Sequence, residues 1–329
     1  MLDLAVRRRG PAAVRVLHVD HGLRAASAAE ADHVHRLAAS MGVESVVLRA
    51  GEPPTTGNVH AWARAERARL AAEAAAECGA ISIATAHTRT DLVETALFRL
   101  ATQPGRRALL AMRPYELGVS GNAGDGSAPQ GLLGNAGDGS ALQGLLGNAG
   151  DGSAPPVVRP LLGITREETM AWCVEHGLRW IDDAANADRR YARARLRHSV
   201  TPVLRGLNPR FEEAVVRTLA ELEEERAALE AIVGGALPPG TDTITIAELA
   251  ALPRAVGRLV LRELCERAAG IPCARAGGRL DEVLARAQAD RSPFALDIGD
   301  GVRVEVRRGS VRAGTSAGPA APAARPGVS

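Results

Sequence analysis

The chain has 329 residues, 46% of them hydrophobic, and a formal net charge of +2. That is enough apolar material for two domains of ~100 to 200 residues each, and too little charge to announce a polyanion partner globally. All 40 basic side chains are arginine, which excludes Schiff-base chemistry, a lysyl-adenylate intermediate and the lysine of a P-loop NTPase. Cys78, Cys173, Cys265 and Cys273 lack C-x-x-C spacing, against a zinc knuckle, an iron–sulfur site or a secreted disulfide framework. No apolar run approaches the roughly 20 residues that span a bilayer, and Met1–Gly10 is too charged and short for a signal peptide. A soluble, cytoplasmic protein is expected.

The first hundred residues alternate strand and helix patterns. Residues 13–19 read as a buried strand, 28–41 as a helix, 44–48 as a second strand, 61–78 as an Ala-rich helix, 80–85 as a third strand and 89–100 as a helix. This βαβ alternation predicts an α/β domain built on an open parallel sheet flanked by helices, with ligands collecting beyond the carboxyl ends of the strands. Gly-Asn-Ala-Gly-Asp-Gly-Ser-Ala recurs at Gly121, Gly134 and Gly147; such a repeat cannot offset its ordering entropy and reads as a flexible insertion. Residues 157–162 resume the sheet pattern, and Thr165 to Glu168 spell a capping box for a helix ending near His176-Gly177. A long amphipathic helix starts after Pro209, helices are expected over 246–269 and 279–289, and residues 294–298 and 302–306 alternate as a β-hairpin. The chain from 310 on is rich in Ala, Pro and Gly and is expected to be disordered.

Three clusters carry chemistry. After the third strand, His87, Asp91 and Glu94 are spaced to share one face of a helix start, where unpaired N–H groups also attract phosphate. They read either as a site that orients a nucleotide or shuttles protons, or as a capped helix with an i to i+4 His–Asp pair. Asp20-His21 after the first strand invites the same two readings, and His18 and His21 point apart on a strand, against zinc. Trp62 and Arg64, in a helix opened by Asn58, can stack on a base or simply pack. The third cluster runs from Trp180 through Asp182, Asp183 and Asn186 into Arg193 and Arg197. Its carboxylates suit an amine and its arginines a phosphate, while the plainer reading is a solvated helix with ordinary ion pairs.

Taken in order, Val19-Asp20-His21-Gly22-Leu23-Arg24, Gly57-Asn58 through Arg64, Thr85-Ala86-His87 through Thr95, Arg159-Pro160-Leu161-Leu162 and Trp180 through Arg197 resemble the tRNA(Ile)-lysidine synthases of the N-type ATP pyrophosphatase (PP-loop) superfamily. The resemblance covers roughly residues 1–118 and 157–310. It implies an adenine nucleotide alpha hydrolase-like fold and a cytoplasmic ligase that uses ATP and Mg2+ to adenylate C2 of the wobble cytidine of tRNA(Ile) with a CAU anticodon. Free L-lysine then displaces AMP to give lysidine. By matching position it implies that His87, Asp91 and Glu94 form the adenylation site, that Asp20, His21 and Arg24 border the nucleotide, that Asp182, Asp183 and Asn186 serve the lysine, and that Arg193 and Arg197 meet phosphate of ATP or tRNA. A homodimer is compatible with it, and no membrane and no protein-held metal are implied.

The resemblance divides the chain into an ATP pyrophosphatase domain over 1–118, the glycine-rich insertion over 119–156, the remainder of the catalytic domain over 157–208, a smaller, mainly helical tRNA-binding domain ending in the hairpin over 209–309, and a tail over 310–329. It places the family's Ser-Gly-Gly-x-Asp-Ser loop and its central strand just before Met1, so an initiation codon set too far downstream is expected. Without that strand the sheet loses ladder partners on two sides. Thr90 and Leu92 stand where the family usually has Asp and Gln, and Ala185 and Ala194 where it has a hydroxyl residue and Asn. The competing expectations are a tRNA thiolase, which the scattered cysteines disfavour, and a catalytically inactive tRNA-binding remnant.

Overall fold

After α1 (Leu2–Arg9), a strand–helix–strand unit opens the sheet. β1 (Arg15–Asp20) and β2 (Glu44–Arg49) run parallel in register from Arg15↔Glu44 to Asp20↔Arg49, with α2 (Ser27–Ser40) between them. The computed structural model describes residues 1–23, 27–56, 59–102, 105–110, 112–116, 155–181, 189, 191–271, 273, 275–290, 292–299 and 301–315. The described residues fall into two compact units that divide between Leu222 and Glu223. No helix among them is long and apolar enough to cross a membrane. The glycine-rich repeat lies outside the described residues, except for its last expected position, 155.

The first unit continues with α3 (Val59–Glu77), β3 (Ile83–Ala84), α4 (Arg89–Thr102), α5 (Arg106–Leu109), β4 (Tyr115–Glu116), β5 (Val157–Val158) and α6 (Arg166–Glu175). The capping box of α6 is formed as expected, Glu168 N–H donating to Thr165 Oγ1 at 3.1 Å and Thr165 N–H to Glu168 Oε2 at 2.6 Å. Beyond it lie α7 (Ala192–Arg195), a π-helical turn over Leu196–Val200, α8 (Thr201–Leu207) and α9 (Phe211–Ala236), of which the residues up to Leu222 belong to this unit. The unit's core gathers Leu92, Ala96, Leu110, Leu162 and Leu219.

The parallel sheet is in two pieces. β3 pairs in parallel with β5, β5 carries β4 antiparallel on its other side, and among the described residues neither β1 nor β3 takes a second strand. The third strand is also shorter than the expected 80–85. Gly79, at φ 64°, turns the end of α3 back on itself, Gly79 N–H donating to Ala76 O and Ala80 N–H to Ala75 O at 2.8 Å. That Schellman closure satisfies the last carbonyls of α3 and takes Ala80 out of the strand.

The second unit is built from β6 (Thr243–Thr245), α10 (Ile246–Ala251), α11 (Arg254–Ala269), a 3₁₀ turn (Ala276–Arg279), α12 (Leu280–Ala289), β7 (Phe294–Gly299), β8 (Val302–Arg307) and β9 (Ser310–Thr315). The expected hairpin of β7 and β8 is present, but it is half of a four-stranded antiparallel sheet ordered β6-β9-β8-β7. Residues 310–315 are therefore a strand bonded on both sides, not the start of a tail. Val311 and Ala313 alternate inward there, a period-2 signal that the Ala/Gly-rich composition concealed. The inward face carries Ile244, Leu296, Ile298, Val302, Val304 and Val306 against Val256, Val260, Leu264, Leu280 and Val283 of the helices; each such side chain buried contributes roughly 1.5 to 3 kcal/mol.

Gly277 lies where a Cβ atom would come within 2.9 Å of the Arg258 carbonyl oxygen on α11. Gly277→Ala is thus expected to push the 3₁₀ turn off α11 and cost about 1 to 3 kcal/mol by overpacking, read as a lowered urea midpoint. An unchanged midpoint would mean that the turn yields freely.

Candidate active site

The predicted catalytic residues meet where β3 hands over to α4. Thr88 caps the helix: its N–H and hydroxyl donate to Asp91 Oδ2 at 2.9 and 2.8 Å, and Asp91 N–H donates to Thr88 Oγ1 at 3.3 Å. Asp91 is therefore part of a cap with Thr88, and the i to i+4 His–Asp pair does not form. His87 turns instead to Thr85, with Nδ1 2.9 Å from Oγ1. Farther along the same helix Glu94 is 1% exposed, a placement a carboxylate tolerates only when fully partnered.

The partner arrives from residues far along the chain. Arg197, in the π-helical turn, donates from Nε and Nη2 to the two Glu94 oxygens at 2.7 and 2.9 Å and stands 3.7 Å from Asp91 Oδ1. One turn before it, Arg193 donates to Thr95 Oγ1 at 3.0 Å. Burial works against the Arg197 charge, but the hydrogen bonds and charge of Glu94, with help from Asp91, outweigh it and hold the guanidinium pKa above its ordinary value. Both predicted arginines thus face α4, but Arg197 is engaged by carboxylates rather than presented to a phosphate.

Around His87 the field is positive. Burial pushes its pKa below the ordinary histidine value, Arg159, Arg193 and Arg67 push the same way, and Asp91 opposes them. Arg64 and Arg67 lie one turn apart on α3. Burial first, then the neighbouring charges of Arg64 and Arg193, lower the pKa of Arg67, although a guanidinium stays protonated. Arg67 also weighs on His21, whose pKa burial lowers first. Arg159 is balanced by Glu116, Nη1 standing 2.9 Å from Oε1, whereas Arg64 and Arg67 have no ion pair among the described residues, and guanidiniums without counter-ions attract anions.

At the end of β1, Asp20 accepts from Gly22 N–H at 2.8 Å, and His21 meets Trp62 edge-on with ring centroids 6.0 Å apart. Trp62 packs on that histidine. Arg24, Asp182, Asp183 and Asn186 lie outside the described residues. Two of the four departures from the family pattern have local explanations: the Thr90 hydroxyl accepts from Arg166 N–H at 3.2 Å at the start of α6, and Leu92 is a core residue. Arg67 was not singled out by sequence reasoning; its i, i+3 spacing from Arg64 was the available signal. A separate cavity of about 740 Å³, lined by Leu4, Val34, Leu37, Met41, Trp172 and Leu178 among others, is apolar and contains none of the predicted site residues.

Residues 2–128 and 131–204 match the PP-loop domain family. The chain is 34% identical over 247 residues to the tRNA(Ile)-lysidine synthase of Mycolicibacterium paratuberculosis (strain ATCC BAA-968 / K-10), covering 74% of this chain and 64% of that protein. It is 32% identical over 218 residues to that of Pseudomonas fluorescens (strain Pf0-1), with 66% and 41% covered, and 31% identical over 266 residues to that of Solibacter usitatus (strain Ellin6076), with 78% and 51% covered. The chain thus spans between 41% and 64% of the length of these relatives. Among solved structures it is similar to the U34-tRNA thiolase NcsA from Methanococcus maripaludis with its 4Fe-4S cluster, at 14% identity and a TM-score of 0.46, over 64% of this chain and 62% of that one. With well over half of its residues matched, the chain belongs to the PP-loop domain family.

Proposed function

We propose that the chain carries the catalytic domain of a tRNA(Ile)-lysidine synthase. The observation that carries this reading is that relatives bearing that name align with 74% and 78% of the chain, while the PP-loop family match spans the residues whose guanidiniums, Arg67, Arg159 and Arg193, bear on His87. In the proposed reaction, O2 of the wobble cytidine attacks the α-phosphorus of ATP and pyrophosphate leaves. The amine of free lysine, having lost a proton, then adds at C2, and AMP departs with the oxygen. Lysidine, AMP and pyrophosphate result.

Each residue follows from its surroundings. Arg64, Arg67 and Arg193 draw in phosphates of ATP or of the tRNA, and Asp20, His21 and Arg24 border the nucleotide. His87 and Asp91 face the reacting phosphate. Glu94 is held rigid by Arg197, so we assign Arg197 to the framework of the site rather than to a phosphate. Asp182, Asp183 and Asn186 take the lysine ammonium. Among the described residues no group of three or more His, Cys, Asp or Glu could hold a metal, and Glu94 and one Asp91 oxygen are already engaged. We assign magnesium to the nucleotide's own phosphates, with water completing its shell. A reaction on tRNA is in keeping with a cytoplasmic protein, and that is the location we assign.

The test is incorporation of labelled lysine into a tRNA(Ile) transcript with a CAU anticodon. The chain is assayed with ATP, Mg2+ and free L-lysine. Lysine-dependent AMP release and labelled RNA are expected. RNA binding without either product would favour the non-catalytic remnant.

A further inference from the structure

We infer that Thr85 is a positioning residue that fixes the His87 ring in the tautomer protonated on Nε2. His87 then presents an N–H donor, not a basic lone pair, to whatever occupies the anion site. Thr85 is well placed for this. It follows β3 directly, and its N–H donates to Val158 O at 2.9 Å, tying it to β5. Its hydroxyl is 2.9 Å from His87 Nδ1.

Two arrangements satisfy that distance. If the ring donated from Nδ1, the half-buried Thr85 hydroxyl would have to give its hydrogen to water, because among the described residues His87 is its one hydrogen-bond partner. If the hydroxyl donates into the Nδ1 lone pair, one bond satisfies both groups. Burial, Arg159, Arg193 and Arg67 all disfavour a second ring proton, and Asp91 only partly offsets them. A neutral ring has one N–H, and with Nδ1 accepting it resides on Nε2. In the adenylation reading, on which only this last step rests, such a donor stabilises charge developing on a phosphoryl oxygen without moving a proton.

The decisive measurement is the nitrogen NMR spectrum of the full chain labelled in its histidines, with His87→Gln used to assign the ring. Nε2–H is expected in the unsubstituted protein, a shift toward Nδ1–H or a mixture in Thr85→Val, and restoration in Thr85→Ser. Nδ1–H in the unsubstituted protein overturns the inference, as does a Thr85→Val spectrum identical to it. If Thr85→Val does not fold, the unsubstituted spectrum still decides. In the tRNA assay, Thr85→Val is expected to lower kcat about ten-fold, leave the KM for ATP within about two-fold, and be rescued by Thr85→Ser. If no lysidine forms under any condition, the adenylation reading fails while the tautomer result stands by itself.

Discussion

Replacing Arg197 by methionine is expected to destabilise the first unit by roughly 3 to 5 kcal/mol at neutral pH. The substitution leaves the Glu94 carboxylate, 1% exposed, without either of its hydrogen bonds. The reverse change is milder. Glu94→Gln leaves a guanidinium whose side chain is 19% exposed and has Asp91 3.7 Å away, so it turns toward water and its second partner. The double variant should therefore be more stable than Arg197→Met alone, and the coupling is read from urea midpoints in a double-mutant cycle.

Glu94→Gln, by contrast, should fold and yet lose turnover in the tRNA assay, separating the pair's structural contribution from its chemical one.

Removing Arg67 should have the opposite profile. It has no hydrogen bond or ion pair among the described residues, and its neighbours Arg64 and Arg193 repel it. Arg67→Ala is expected to leave the urea midpoint unchanged or raise it slightly, while weakening binding of ATP or of a CAU anticodon stem-loop by about ten-fold and reducing the salt slope for RNA by about one. Because Arg67 lowers the pKa of both His87 and His21, both rings should titrate higher in the variant. Unchanged affinity together with shifted histidines would make Arg67 a field without a ligand. A site residue that gives up stability for an unbalanced charge is the ordinary pattern at functional surfaces.

Sequence reasoning reached what is local. The α6 capping box, the parallel pairing across α2, the alternation of β7 and β8 and the clustering of Asp91 and Glu94 on α4 all rest on neighbours a few residues apart. What it missed depends on distance or on masking composition. The partner of Glu94 lies 103 residues away, and no local pattern separates that arginine from the other arginines around it. β9 is hidden because alanine and glycine weaken its strand signal, although its alternation is intact. His87 follows the spacing rule for sharing a face with Asp91, but it precedes the first turn of α4, so it is free to bond back to Thr85. Arg67 was obscured by abundance: in a chain with 40 arginines and no lysine, which arginines lack a counter-ion among the described residues is legible only in the fold.

The two-piece sheet carries a consequence for how the molecule behaves among other chains. β8 is bonded on both sides, so its amides and carbonyls have nothing left to offer. β1 and β3 each keep one row of ladder groups without a strand partner among the described residues. Such a row is a template that pairs with extended polypeptide largely regardless of side chains. Whatever strand is at the higher effective concentration, tethered or foreign, takes that place. Under crowded conditions, self-association of the first unit would therefore follow protein concentration even though its surface carries almost no net charge bias to oppose or promote contact.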